Sequence, residues 1–404
     1  MKLSHIFLAL LALPLFMQSS CDEPKKGGGN ALVTGKFSNS KGDTLFLTDV
    51  SQANFEIIDS VVAGEDGSFE FHPLVTYTGF YNISVGKMGE QFATIILSAG
   101  DTLNVTGDAE NLGYTWKTEG SENSKRFDEF NAYLTQLDRK RHPLMGRLDS
   151  LQRTFQVLVS MLKKEDSLKV DSLDKVFGDI FTATQNKLTS LDSESAIFVR
   201  GFIDKDPASF ANIPALRLLE PFDNFSYWEK TTIALEAKYK GSPNVKMLRD
   251  LVERQRPFCK GQTPPEIALP DPSGKVILLS SLKGKIVLID FWASWCGPCI
   301  GELPNVVANY KKYHDKGFEV YSVSLDSDRN AWTNAIKKQN LTWPYHVSDL
   351  KQWESSVVPL YQIQSIPKTL LLDRDGKLID RDLRGEALSQ ELGNIFAADA
   401  QKTK

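Results

Sequence analysis

The chain has 404 residues, 41% apolar and 24% charged, with 27 Gly and 18 Pro. That suits two to four domains with ordinary globular cores and excludes the disordered, collagen-like and fibrous classes. Lys and Arg number 47 against 51 Asp and Glu, a net charge of −4, so no basic excess points to nucleic acid or to an anionic membrane surface. Four cysteines, Cys21, Cys259, Cys296 and Cys299, are too few for a disulfide-stapled scaffold, and only the last two are close in sequence.

Residues 1–20 read as an export signal: Met1-Lys2, then twelve apolar residues from Ile6 to Met17, then Ser19-Ser20 before Cys21. Twelve residues rise only about 18 Å as a helix, short of the roughly 30 Å hydrocarbon core, which argues against a permanent span. A lone Cys after small residues resembles the lipobox of bacterial lipoproteins, although Gln18 stands where that box usually has an aliphatic residue. The resemblance implies a lipid on Cys21 and a periplasm-facing protein held to a membrane of the envelope, inner or outer. An ordinary signal cut near Ser20 is the alternative, and it exports the chain equally. Residues 21–30, with Lys25-Lys26 and Gly27-Gly28-Gly29, suit a flexible tether. The triple glycine lacks the strand, the helix and the Gly-Lys-Ser/Thr ending of a phosphate loop.

From 31 to 118, short apolar or β-branched runs alternate with turn residues every eight to twelve positions, an all-β signature. Strands are predicted at Leu32 to Phe37, Thr44 to Leu47, Glu56 to Val62, Phe69 to Phe71, Phe80 to Val85, Phe92 to Leu97 and Thr102 to Thr106. Turns are expected at Gly42, Gly67, Gly100 and Gly107-Asp108, and the whole reads as a small sandwich or open barrel. Ile58-Asp59-Ser60 and Gly67-Ser68-Phe69 resemble phrases of the β-rich domain that precedes thioredoxin-like domains in Bacteroidetes envelope proteins. No catalytic residue comes with that likeness.

From 121 to 257 the period becomes helical. Leu144, Leu148, Leu151, Phe155, Leu158 and Leu162 share one face, with Leu173, Phe177, Ile180 and Leu188 on a returning helix. A run of under three heptads favours an antiparallel hairpin over a two-stranded coiled coil. Arg139-Lys140-Arg141, with Pro143 following, reads as a solvated helix end. Such a segment spaces, oligomerises or presents the next domain, and its residues leave all three open.

From 260 to 400 strands alternate with helices, which predicts a mostly parallel sheet covered on both faces. Strands are expected at Val276 to Leu279, Ile286 to Phe291, Glu319 to Leu325 and Tyr345 to Val347, with a hairpin around Asp373 to Gly376. Helices are expected after Cys296 and at Arg329 to Gln339, Ser356 to Tyr361 and Glu386 to Phe396. The string Trp295-Cys296-Gly297-Pro298-Cys299 would arise by chance in such a chain on the order of twice in a million, so accident is no explanation. A C-x-x-C between strand and helix puts Cys296 at the helix N-terminus, where free amides and the dipole lower a thiol from about 8.5 toward 7. Cys296 then attacks a substrate disulfide, and Cys299, one turn in, resolves the mixed disulfide.

The run Val287 to Cys299, with Glu302-Leu303-Pro304 and Ser365-Ile366-Pro367-Lys368-Thr369, resembles the thioredoxin superfamily and, within it, exported proteins of the TlpA and ResA type. That resemblance implies a thioredoxin-like fold and a reducing thiol:disulfide oxidoreductase without a bound cofactor. It implies partners that are disulfide-bearing proteins and an upstream thiol reductant, and a place in cytochrome c maturation. It also gives residues their roles. Asp290, six before Cys296, is the buried acid that takes the Cys299 proton, and Ile366-Pro367 is the cis-proline step that faces the cysteines and pairs with substrate backbone. Pro304 kinks the helix, Glu302 tunes thiol acidity, and Trp295 borders the substrate surface.

Other classes fit less well. A peroxidase of this fold needs Thr or Ser three residues before its reactive Cys, and Ala293 stands there. A metal site lacks His near the pair, the five lying at 5, 72, 142, 314 and 346. A scaffold whose thiols only sense redox state would keep its activity when Cys296 is replaced. Cys259 has no evident partner and reads as a buried or incidental thiol, with an intermolecular disulfide or a third redox thiol as the alternative.

Overall fold

The computed structural model describes residues 29–51, 55–86, 91–162 and 167–402. The expected export signal and the expected lipid-bearing Cys21 lie outside the described residues. The chain divides into two compact units: one takes the chain up to and including Glu220 together with Ser226–Val252, the other Pro221–Phe225 with Glu253–Lys404.

The first unit begins with ten strands: β1 (Gly29–Asn30), β2 (Leu32–Ser38), β3 (Thr44–Asp49), β4 (Glu56–Val62), β5 (Ser68–Phe71), β6 (Leu74–Val75), β7 (Gly79–Val85), β8 (Phe92–Leu97), β9 (Thr102–Asp108) and β10 (Lys117–Glu119). β1, β6 and β10 are too short to leave a period in the sequence. Two four-stranded sheets, ordered β10-β9-β2-β5 and β4-β3-β7-β8, send alternate side chains into one core. Val33, Phe71 and Leu103 come from the first sheet, Leu45, Ile83 and Ile95 from the second. This is a sandwich. Gly67 turns at positive φ, and a Cβ there would run into the Phe37 carbonyl. The expected turn at Gly107-Asp108 is absent, because parallel pairing with β2 carries β9 on to Asp108 opposite Ser38.

After α1 (Leu112–Thr115), α2 (Glu122–Met161) and α3 (Ser167–Lys205) form an intramolecular helical hairpin. Ser121 starts α2 by accepting the Ser124 amide at 3.1 Å. The predicted seam residues Leu144, Leu148, Leu151, Phe155 and Leu158 are half-buried, and Phe155 meets Phe177 at 5.4 Å between ring centroids. At the base, Phe127 packs on Phe80 of β7, and Ser124 Oγ donates to the Ile96 carbonyl of β8. The basic cluster is not a helix end. α2 continues through Pro143, Arg141 pairs with Asp192 at 2.5 Å and Lys140 with Glu194 at 3.4 Å on α3. Packing along the hairpin outweighs the roughly 3 kcal/mol that an interior proline costs a helix. α4 (Asn212–Leu216), α5 (Pro221–Lys238) and α6 (Pro243–Gln255) complete the helical series, and α5 breaks helical geometry at Asn224.

The second unit holds β11 (Ala268–Pro270), β12 (Val276–Leu278), β13 (Ile286–Trp292), β14 (Phe318–Ser324), β15 (Tyr345–Val347), β16 (Lys368–Leu372) and β17 (Leu378–Arg381). Its helices are α7 (Gly297–Tyr313), α8 (Arg329–Lys338), α9 (Val357–Leu360) and α10 (Gly385–Lys402). The main sheet runs β15-β14-β13-β16-β17. It is mixed where a mostly parallel sheet was expected: β13 and β15 run parallel to β14, but β16 lies antiparallel to β13 and to β17. A hairpin joins β16 to β17, and a tight hairpin can only return antiparallel. Every residue of β13 and β14 is buried, so both faces of the central pair are covered. Cys259 is buried, and its thiol donates to the Gln255 carbonyl at 3.2 Å. Among the described residues no helix is long and apolar enough to cross a membrane.

Candidate active site

β13 is apolar except for Asp290, and α7 opens five residues beyond the strand's end with Pro298 in its first turn, where a missing amide costs nothing. Cys296 is the N-cap residue. Its sulfur accepts the Cys299 amide at 3.2 Å, the position at which helix amides and dipole favour negative charge. Cys296 and Cys299 form a disulfide, with Cα atoms 5.2 Å apart. α7 runs on through Pro304.

The register brings the remaining predicted residues to the same end of the sheet. Asp290 pairs with Thr369 and Phe291 with Lys368, so the cis Ile366-Pro367 bond precedes the residue opposite Phe291. Asp290 is buried. Desolvation pushes its carboxyl up to about 7, repulsion from Glu302 adds to the rise, and the Arg384 guanidinium opposes it. Glu302, half-buried on α7, accepts the Gly385 amide at 2.8 Å and the Asn305 side-chain amide at 2.7 Å. It thereby caps the start of α10. Trp295 is 50% exposed beside Cys296, whereas Trp292 is fully buried.

The comparisons follow the same division of the chain. The redoxin family profile matches residues 259–398, and a domain family of unknown function (DUF4369) matches 32–127, the sandwich with the first turns of α2. Thiol-disulfide oxidoreductase ResA of Bacillus cereus is 32% identical over 132 residues, which are 33% of this chain and 73% of that protein. The chain belongs to the ResA-like thiol-disulfide oxidoreductases of the thioredoxin superfamily. ResA of Bacillus subtilis (strain 168) is 32% identical over 122 residues, 30% of this chain and 66% of that one. Among solved structures, the thioredoxin domain of a thiol-disulfide oxidoreductase from Bacteroides vulgatus is 33% identical, covering 34% of this chain and 98% of that one, with a TM-score of 0.33. The thiol-disulfide oxidoreductase from Bacteroides fragilis NCTC 9343 is 34% identical, at 33% and 99% coverage and a TM-score of 0.32.

This ResA-like site includes three residues that sequence reasoning missed. Asp326, buried after β14, accepts the Ser294 amide at 3.1 Å, the Ser294 hydroxyl at 2.5 Å and the Ser324 hydroxyl at 2.6 Å. It fixes the turn that carries Trp295 and Cys296. Arg384, itself largely exposed, donates to the Pro367 carbonyl while opposing charge repulsion at Asp290. Trp353 lies 6.4 Å from Trp295 between ring centroids. Asp326 and Arg384 sit 30 and 88 residues beyond Cys296, outside any local pattern; the clustering of five of the seven Trp from Trp292 onward, by contrast, is a composition signal that points toward Trp353.

Proposed function

We propose that this thiol-disulfide oxidoreductase reduces protein disulfides in the cell envelope, with Cys296 as nucleophile and Cys299 as resolving thiol. The Cys296 thiolate attacks one sulfur of a substrate disulfide; the substrate's other sulfur leaves as a thiolate and takes a proton. Cys299 gives its proton to the Asp290 carboxylate and attacks the Cys296 sulfur, releasing the second substrate thiolate and leaving Cys296–Cys299 oxidised. Two electrons pass to the substrate, and an upstream dithiol reductant restores the pair. Glu302 acts through Asp290, whose proton affinity its charge raises. Trp295 and the Ile366 backbone border the bound chain.

The observation that carries this reading is the Cys296 sulfur at the α7 N-cap, bonded to Cys299 and held by its amide. Lipid attachment through Cys21 rests on the lipobox-like sequence, and a place in cytochrome c maturation on the likeness to ResA. The test is reduction of insulin by the full chain: Cys296→Ser abolishes it, and a variant as fast as the parent rejects the mechanism. Cys299→Ser expressed in the host holds substrates as mixed disulfides, and apocytochrome peptides among them decide the cytochrome assignment.

A further inference from the structure

Two large aromatic side chains stand open beside the disulfide. Trp295 is 50% and Trp353 43% exposed, with rings inclined at 52°. An indole is costly to leave in water and is among the side chains most used to anchor a partner. Trp353 also walls an open cleft of about 590 Å³ with Val358, Pro359 and Ile363 as its apolar lining and Gln362 and Gln364 at its polar edge. The Trp295–Trp353 contact and the position of Gln364 in the chain tie the cleft to the site. Trp295 immediately precedes Cys296, and Gln364 is two residues before the Ile366-Pro367 step.

The charge of the cleft narrows what can occupy it. Of the described lining, Glu354 alone is ionisable, so anionic small disulfides find no cation there and meet a carboxylate. Trp295 adjoins Cys296 in the chain and its ring centroid lies 6.4 Å from that of Trp353, a gap that an extended chain rising about 3.3 Å per residue crosses in about two residues. We infer that the Trp353 cleft selects protein substrates carrying a large apolar side chain within three residues of the attacked cysteine. This rests on the reading of Cys296–Cys299 as a reducer of protein disulfides and adds a substrate preference to it.

The test uses the reduced full chain and two synthetic peptides with one internal disulfide each, identical except for Phe or Ser two residues from the attacked cysteine. The readout is the ratio of their kcat/KM values, which a general loss of activity leaves unchanged. The parent is expected to favour the Phe peptide about tenfold, a difference of about 1.4 kcal/mol. Trp353→Leu should lower that ratio and Trp353→Ala should bring it near one; the Leu variant carries the test should the Ala variant not fold. Equal rates for the two peptides with the parent overturn the proposal alone, as does an undiminished ratio in both variants. Faster reduction of oxidised glutathione than of the Phe peptide also overturns it. A parent that reduces neither peptide overturns the functional reading and the proposal together.

Discussion

Replacement of Asp290 by Asn separates the proton chemistry of the site from its packing. The carboxyl ordinarily ionises near 3.9 in an unfolded chain and is pushed up to about 7 in the fold by burial and by Glu302. Between pH 4 and pH 7 the unfolded chain has released this proton while the folded chain still holds it. Stability therefore falls as pH rises through that window and levels off above 7. The accumulated cost is on the order of 4 kcal/mol. Asn has nearly the same shape and no charge, so Asp290→Asn should equal the parent near pH 4, exceed it by about 1 kcal/mol at pH 5 and by roughly 3 to 4 kcal/mol at pH 8.

Guanidinium unfolding of the oxidised full chain at pH 5 and pH 8 measures this directly. Tryptophan fluorescence reports the second unit preferentially, because five of the seven Trp lie from Trp292 onward. Activity should move the opposite way. Without the base, resolution of a mixed disulfide at pH 8 should slow about a hundredfold, and the rise in rate through pH 7 should vanish. An Asn variant with the same stability difference from the parent at both pH values would refute the argument, because the carboxyl would then ionise in its ordinary range.

Arg384→Ala removes the cation opposing Asp290, so the parent's inflection should move to higher pH. The guanidinium is largely exposed and screened, which limits the move to roughly half a pH unit; Arg384→Lys should restore the inflection, and an unchanged pH–rate profile in the Ala variant counts against the coupling. Asp326→Ala leaves the Ser294 amide and hydroxyl and the Ser324 hydroxyl without their buried acceptor. It should lower stability by about 2 to 4 kcal/mol, read as a drop in the guanidinium midpoint with little change in slope.

What the sequence made legible is what is local. The near-continuous apolar run of β13, the Trp295–Cys299 string and the hairpin seam from Leu144 are contiguous or periodic, and each lands where the pattern puts it. The basic cluster defeats a local reading because its partners, Asp192 and Glu194, lie some fifty residues away on α3. A local rule sees Pro143 and three cations and reports a helix end. The sequence reads as a mostly parallel sheet because alternating strands and helices dominate its first half, whereas the two antiparallel pairings enter with β16 after the cis-proline step. Arg384 and Asp326 escape for the same reason as the acids of α3: their partners lie far away along the chain.

Those long-range contacts bear on why an acid is kept in β13 at all. A buried carboxyl that ionises near 7 weakens the fold at neutral pH, and an apolar residue would fill an otherwise apolar strand without that penalty. Glu302 makes matters worse for ionisation. Its carboxylate is held in place by the Gly385 amide and Asn305, so it cannot swing away to relieve the repulsion. Arg384, the residue before Gly385, supplies partial compensation and holds the Pro367 carbonyl with the same guanidinium. The start of α10 therefore sets both the charge environment of Asp290 and the position of the loop that faces the cysteines. The proposed transfer of the Cys299 proton calls for an acid poised near neutral pH, and a buried Asp290 with a second acid acting on it and only a partly compensating cation suits that role better than a structural ion pair would.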